Sequence, residues 1–239
     1  HGPSLLLLGR TPEPESQPDW SRELPDDRLE EHLFDNNAED STPAQIRERA
    51  QSIRNSREIA ARISSLEALG AKVLYRCVDV RDRDALEKAI DEARAVDGPV
   101  RGIIHGAGVL ADSWITEKSD EQFQLVWSTK VDPARHLLSI CRDEELDFIS
   151  FFSSVTARLG RKGQSDYAAA NETLNRIAQI ERTLRPDCRI RSIGWGPWDG
   201  GMVQDGLRTI FHQEGIDLIP LDLGARLFLE TMETEGSPQ

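Results

Sequence analysis

Short runs rich in Val, Ile, Leu and Phe alternate with longer stretches of helical apolar spacing, and this alternation constrains the fold more than any other feature of the chain. It is the rhythm of βαβ units, in which parallel strands are joined by crossover helices. The strands are expected at Leu5 to Leu8, Lys72 to Val78, Val100 to His105, Phe148 to Ser153 and Arg189 to Trp195, each bounded by Gly, Pro, Asp or Ser. Between them the spacing predicts helices over Ala44 to Leu69, ending at Gly70, and over Arg83 to Val96, ending at Gly98. Two more are predicted over Asp120 to Arg142 and over Tyr167 to Leu184, before Pro186.

One stretch breaks this rhythm. From Thr11 to Asp40 there are eleven Asp or Glu residues against only Arg22 and Arg28, so most of the net charge of -13 sits there. The same stretch carries Pro12, Pro14, Pro18 and Pro25, a density that argues against regular structure. Residues Thr11 to about Pro43 are therefore expected to be a solvated insertion, with ordering against a neighbouring domain as the alternative. So acidic a chain makes duplex nucleic acid an unlikely partner. Its longest apolar run, Leu5 to Leu8, is far short of the roughly 18 residues of a spanning helix, so no membrane is expected. Cys77, Cys141 and Cys188 have none of the close spacings of metal sites or redox pairs. They read as free thiols of a reducing, cytoplasmic compartment, with no metal.

In parallel α/β sheets ligands bind outside the carboxyl ends of the strands. The residues there are Gly9-Arg10, Asp79-Val80, Gly106-Ala107-Gly108, Ser153-Ser154 and Gly196-Pro197. No GxGxxG turn occurs to bring a pyrophosphate to a helix N-terminus, and the chain enters its first strand almost at once. The expectation is a sheet whose first βα unit, with its Gly-rich turn, is absent from this chain and is supplied in cis or from a separate chain.

Phe151-Phe152-Ser153-Ser154, followed by Gly160, Gly163, Tyr167 and Asn171, resembles the active-site region of short-chain dehydrogenases. More narrowly it is similar to the ketoreductase domains of polyketide synthases and polyunsaturated fatty acid synthases. Simple short-chain dehydrogenases place Lys four residues after the catalytic Tyr, where this chain has Asn171. The synthase ketoreductases exchange those positions, and Lys130 stands where their Lys does, in Ser128-Thr129-Lys130-Val131. The resemblance runs from Leu5 to about Leu229 and also takes in Arg10, Asp79, His105 to Val109 and Trp195 to Trp198. Arg57-Glu58-Ile59 and Glu67 to Ala71 are similar to the polyunsaturated fatty acid synthase type.

The resemblance implies an α/β, Rossmann-like doubly wound parallel sheet of the short-chain dehydrogenase type. It also implies NADPH-dependent reduction of a β-ketoacyl thioester carried on an acyl carrier protein, within a multidomain synthase. Tyr167 would protonate the developing alkoxide. Lys130 would lower the Tyr167 pKa from near 10 toward the working range. Ser154 would hold the carbonyl oxygen, and Asn171, one helical turn beyond Tyr167, would orient Lys130 directly or through a water. Arg10 could pair a ribose 2'-phosphate, Asp79 and Val80 would contact adenine, and Gly106, Ala107 and Gly108 would let the backbone approach the cofactor. Pro197 and Trp198 would border the nicotinamide. Leu110-Ala111-Asp112 resembles the Leu-Asp-Asp signature of reductases giving a D (3R) hydroxyl, and Leu159 stands where the opposite class carries Trp. Lys162 and Asp166 replace that family's Pro and Asn. Arg158, Arg161 and Lys162, in the loop leading to Tyr167, are the candidates for docking an acidic carrier protein.

Taken singly, each catalytic candidate has a bland reading: a packed aromatic, a surface charge, a strand-end hydroxyl, a polar helix residue. Their separations, 24 residues from Lys130 to Ser154, 13 to Tyr167 and 4 to Asn171, favour the joint reading. Two other functions compete with it. A non-catalytic reductase-like subdomain would explain the missing Gly-rich turn but gives no reason to keep all four residues. A free-standing short-chain alcohol dehydrogenase conflicts with Asn171 in place of Lys.

Overall fold

The computed structural model describes residues 2–13, 17–37, 41–203 and 205–234. The chain forms two compact units, His1–Gly98 and Pro99–Gln239.

In the first unit β1 (Ser4–Gly9) and β2 (Lys72–Cys77) pair in parallel, with Ser4 opposite Lys72 and Gly9 opposite Cys77. Between them come α1 (Trp20–Glu23), a 3-10 turn (Asp26–Arg28), α2 (Leu29–Asn37) and the long α3 (Pro43–Ala68), and α4 (Arg83–Asp97) follows β2. Helix α3 starts where Thr42 accepts from the Gln45 N–H and the Gln45 side chain reaches back to the Thr42 N–H, with Pro43 in the first turn. The Asp82 carboxylate caps α4, accepting from the amides of Asp84 and Ala85.

The acidic stretch corrects the sequence expectation. It is not a loop without regular structure: Leu29 and Leu33 of α2 are fully buried against Ile46, Ala50 and Ile53 of α3, with Trp20 and Leu24 packed around them. Two leucines four residues apart form one apolar face, and the carboxylates occupy the other. Two arginines of α3 fasten the stretch. Arg54 donates to Asp26 O and to the Glu30 carboxylate, and Arg57 to the Asp26 carboxylate and the carbonyls of Ser21 and Leu24. Pro25 immediately precedes the 3-10 turn, where its missing N–H costs nothing. Residues 14–16 and 38–40, also within that expectation, lie outside the described residues.

In the second unit β3 (Gly102–His105), β4 (Phe148–Ser154) and β5 (Arg189–Trp195) form a parallel sheet in that order, with His105 opposite Phe151 and Ser154 opposite Trp195. Helix α5 (Asp120–Ile140) connects β3 to β4. The short α6 (Thr156–Leu159) and the long α7 (Ser165–Leu184) connect β4 to β5, and α8 (Asp205–Gln213) and α9 (Leu221–Glu233) follow β5. Ile149 and Phe151 of β4 and Ile190 of β5 join Leu174 and Ala178 of α7 among the least exposed side chains. Helix α9 accommodates Trp198 only through Gly224, where a Cβ would meet the indole ring at 2.3 Å.

All the expected strands and the four long helices are present, with ends shifted by a residue or two, and the α/β parallel class stands. Among the described residues β1 pairs only with β2 and β3 only with β4, so each has one edge without a strand partner.

Candidate active site

A cavity of about 470 Å³ opens in the second unit at the carboxyl ends of β3, β4 and β5. Gly106, Lys130, Ser154, Tyr167 and Pro197 all line it. Its aromatic side is Phe152, Trp195 and Trp198, with Phe152 ring centroids 5.7 and 6.1 Å from the two indoles. Leu207 and Phe211 of α8 add further apolar wall.

Lys130 reaches the cavity from α5, a helix begun by a Ser119–Gln122 capping box. It is 2% exposed, and its Nζ donates to Phe152 O at 3.0 Å and to Ala107 O at 3.5 Å. Carbonyl dipoles compensate a buried ammonium only in part, so burial pulls its pKa down to about 8. Gly108 packs beside it, where a Cβ would lie 3.4 Å from both Cε and Nζ. His105, at the end of β3, donates from Nε2 to the Lys130 carbonyl at 2.8 Å and anchors this turn of α5. Burial lowers the His105 pKa to about 4, so the ring is neutral at pH 7. Pro133, three residues further along the helix, has no N–H to donate to the Thr129 carbonyl.

Tyr167 lies in the first turn of α7, and the Lys130 ammonium stands 5.4 Å from its ring centroid. Here the structure reverses a sequence expectation. The phenol pKa is raised, not lowered: burial dominates, the Asp112 carboxylate adds to it, and an interaction with the Asn171 side chain pulls the other way. A nearby ammonium stabilises a phenolate, but desolvation is the largest effect in this site and acts in the opposite direction.

Ser154 ends β4, is 9% exposed, and accepts the Thr156 N–H at 3.1 Å, which leaves its own O–H to donate into the cavity. Asn171 is fully buried. Its Nδ2 donates to the Tyr167 carbonyl at 2.8 Å, so it does not orient Lys130 directly, and among the described residues its Oδ1 has no hydrogen-bond partner. An amide oxygen left this way costs stability unless water or a ligand satisfies it.

The stereochemical candidates lie at the rim. Asp112 is exposed and accepts from Gln164 Nε2 at 2.9 Å. Leu159 lines the cavity and is otherwise 82% exposed. Gln164, 6% exposed, also accepts from Thr156 Oγ1, a role that its place three residues before Tyr167 does not reveal in the sequence. Of the three basic docking candidates, Arg158 lies 3.7 Å from the Glu172 carboxylate. Arg161 pairs with Glu214 at 2.7 Å and lies over the Phe211 ring, which ties it to α8 and the turn after it, while Lys162 is exposed.

The other cofactor candidates belong to the first unit. Arg10 follows β1 and is exposed, and Val80 is half-buried. Asp79 is held by Arg81, whose guanidinium keeps the carboxyl below its usual range. In the second unit the residues fit the nicotinamide end of a cofactor. A Cβ on Gly106, which lines the cavity, would meet nothing closer than Phe152 at 3.9 Å, so a flat ring can approach the backbone there.

A parallel α/β domain that collects a phenol, a buried ammonium and a serine hydroxyl in one cavity at its strand ends has the equipment of a carbonyl reductase. The chain belongs to the KR domain family, whose profile matches residues 4–200, ketoreductases of the short-chain dehydrogenase superfamily. It is 36% identical over 234 residues to a polyunsaturated fatty acid synthase subunit of Thraustochytrium sp., covering 94% of this chain and 8% of that protein. It is 33% identical over 174 residues to erythronolide synthase EryA2 of Saccharopolyspora erythraea, covering 72% of this chain and 5% of that protein. The chain thus spans less than a tenth of either relative. Among solved structures, an N-terminal ketoreductase from the macrolactin assembly line superposes with a TM-score of 0.70 at 27% identity, over 98% of this chain and 38% of that one. A ketoreductase domain from the bacillaene assembly line gives 0.65 at 30% identity, over 96% and 46%. Members of the family use a nicotinamide cofactor. No described helix is long and apolar enough to cross a membrane.

Proposed function

We propose that this chain reduces a β-ketoacyl thioester, carried on an acyl carrier protein, to the D (3R) β-hydroxyacyl thioester, as one domain of a multidomain polyketide or polyunsaturated fatty acid synthase. The observation that carries this reading is the shared cavity of Lys130, Ser154 and Tyr167. NADPH, when bound, supplies the hydride. Ser154 donates to the substrate carbonyl oxygen and fixes it beside Tyr167. Tyr167 gives its phenolic proton to the alkoxide forming on that oxygen, and Lys130 stabilises the phenolate left behind. The Asn171 Oδ1 accepts from a water that returns the proton. Gly106, Ala107, Gly108, Pro197 and Trp198 would hold the nicotinamide end. Asp79 and Val80 would hold adenine, and Arg10 favours NADPH through a charge-assisted bond to the 2'-phosphate. Asp112 and the absence of Trp at position 159 support the 3R product.

A βα unit with a Gly-rich turn, in cis or from a separate chain, completes the sheet by pairing with β1. The edge of β1 without a strand partner, with Leu5 to Leu8 only half-buried, supports this. The test is fluorescence titration with NADPH and NADH, followed by chiral analysis of the product from a carrier-bound β-ketoacyl thioester. It is run on this chain alone and with an N-terminal extension. NADPH should bind tightly only to the extended form, which should yield the 3R product. Tight binding by the chain alone would remove the need for the added unit, and bound cofactor without turnover would overturn the reductase reading.

A further inference from the structure

Lys118 and Asp166 form an ion pair 2.8 Å long, with side chains only 6% and 1% exposed. The reaction above uses neither residue. Burying two opposite charges is costly unless their remaining protons and lone pairs are also satisfied, and a pair that meets this condition is held in one geometry. Here the remaining partners are specific. Lys118 Nζ also donates to the Ala111 carbonyl at 2.8 Å, and Asp166 Oδ1 accepts the backbone N–H of Tyr167 at 2.9 Å. Ala111 stands between Leu110, which lines the cavity, and Asp112, which accepts from Gln164. One further neutral bond, Ser113 N–H to Gly163 O at 3.1 Å, runs between the same two segments.

We propose that Lys118 and Asp166 are positioning residues: their ion pair clamps the loop after β3 onto the first turn of α7 and sets where the Tyr167 phenol stands against the cavity wall at Leu110. The clamp follows from the contacts alone, and its effect on reaction and product rests on the reductase reading. Proton donor and wall together decide which face of a carbonyl can be presented. A slip between the two segments therefore alters product configuration as well as rate. An apolar pair of the same size would fill the space but tolerate such slips, because dispersion contacts are not directional.

The decisive variant is Lys118→Met with Asp166→Asn in the full chain. It removes both charges together, keeps an oxygen for the Tyr167 N–H, and strands no buried charge as either single change would. The chain has only two tyrosines, Tyr75 and Tyr167, so labelling tyrosine with carbon-13 at Cζ gives two signals that Tyr167→Phe assigns. In the double variant the Tyr167 signal should move and its amide should exchange at least about tenfold faster, while the Tyr75 signal stays in place. Turnover of the β-ketoacyl thioester should fall about tenfold with little change in KM, and the minor hydroxyl enantiomer should appear. A folded double variant with the Tyr167 signal, amide exchange and enantiomer ratio of the wild type would reduce the pair to a packing element and overturn the proposal. If that variant does not fold, Asp166→Glu, which keeps both charges and lengthens the tie by one methylene, is read by the same signals and outcomes. Should the wild type bind NADPH yet reduce no thioester, the reductase reading fails while the Tyr167 signal and amide exchange still decide the clamp.

Discussion

Two lysines of the second unit are buried in opposite ways. Lys118 meets a carboxylate, whereas the hydrogen bonds of Lys130 go to the carbonyls of Phe152 and Ala107. A carboxylate neutralises an ammonium and fixes it, which suits a tie between segments. Carbonyls hold an ammonium in place without neutralising it, so desolvation is only partly offset and its pKa falls to about 8. The contrast separates a charge that anchors from a charge poised to act at near-neutral pH. It also explains how one small region holds two buried cations without two buried anions.

The largest effect expected from the poised side of this contrast is at Tyr167. Tyr167→Phe removes the proton donor and little else, so reduction of a β-ketoacyl thioester should fall at least about a hundredfold, with cofactor affinity hardly changed. Steady-state kinetics beside an NADPH titration measure both. Retention of more than about a tenth of the turnover would take Tyr167 out of the mechanism.

Lys130 itself allows a sharper test through stability. In the folded chain it loses its proton near pH 8, and in the unfolded chain only near its ordinary value of 10.5. Between those values the unfolded state binds more protons, so the stability of the wild type should rise with pH relative to Lys130→Met. Below pH 8 both states are charged and the burial penalty is present in full. The relative gain from pH 8 to 10 should be about 2 kcal/mol. Denaturant unfolding of the two proteins across that range would show it, and parallel stability curves would mean that Lys130 is solvated or paired after all.

What the sequence makes legible follows from the range of the interactions involved. Strands and long helices are written locally, in runs such as Phe148 to Ser153 between Asp147 and Ser154, or in Thr42-Pro43 opening α3. Helix α2 was hidden because the density of Pro and carboxylate outweighed Leu29 and Leu33, whose burial depends on Ile46, Ala50 and Ile53 of another element. The Lys118–Asp166 pair was hidden for the same reason: Lys118 beside Glu117 and Ser119 reads as a surface charge, and its partner lies 48 residues on. The catalytic candidates were legible through their motif. The direction of the Tyr167 pKa was not, since desolvation is a property of the assembled site.

Surface cations should matter less than Lys130, and Arg10 is the first of them. If it pairs the 2'-phosphate, Arg10→Ala should weaken NADPH binding about tenfold and leave NADH unchanged, the scale of one charge-assisted hydrogen bond at a partly solvated site. Parallel titrations of the N-terminally extended form with the two cofactors would measure it. Equal weakening of both would assign Arg10 to the fold of the first unit and leave cofactor choice to other residues.

The smallest effect is expected at the carrier-docking loop, where the structure separates three candidates that the sequence leaves equal. Arg161 is tied to Glu214 and to Phe211 of the helix that walls the cavity, and Arg158 lies near Glu172, so reversing either disturbs contacts within the chain. Lys162, in the same loop, is the cleaner probe. The net charge of -13 would repel an acidic carrier at long range, but most of it belongs to the Thr11 to Asp40 stretch, which leaves a local attraction free to act. Lys162→Glu should raise KM for a carrier-bound thioester about two- to threefold at low salt, the scale of one rim charge. Near 1 M salt, where screening acts within about 3 Å, the difference should vanish. A small free thioester should not register the change at any salt, since it carries no acidic surface. Arg161→Glu, by contrast, should slow both substrates alike because it releases α8 from the cavity wall. If Lys162→Glu also slows both alike, the loop shapes the site and the carrier docks elsewhere.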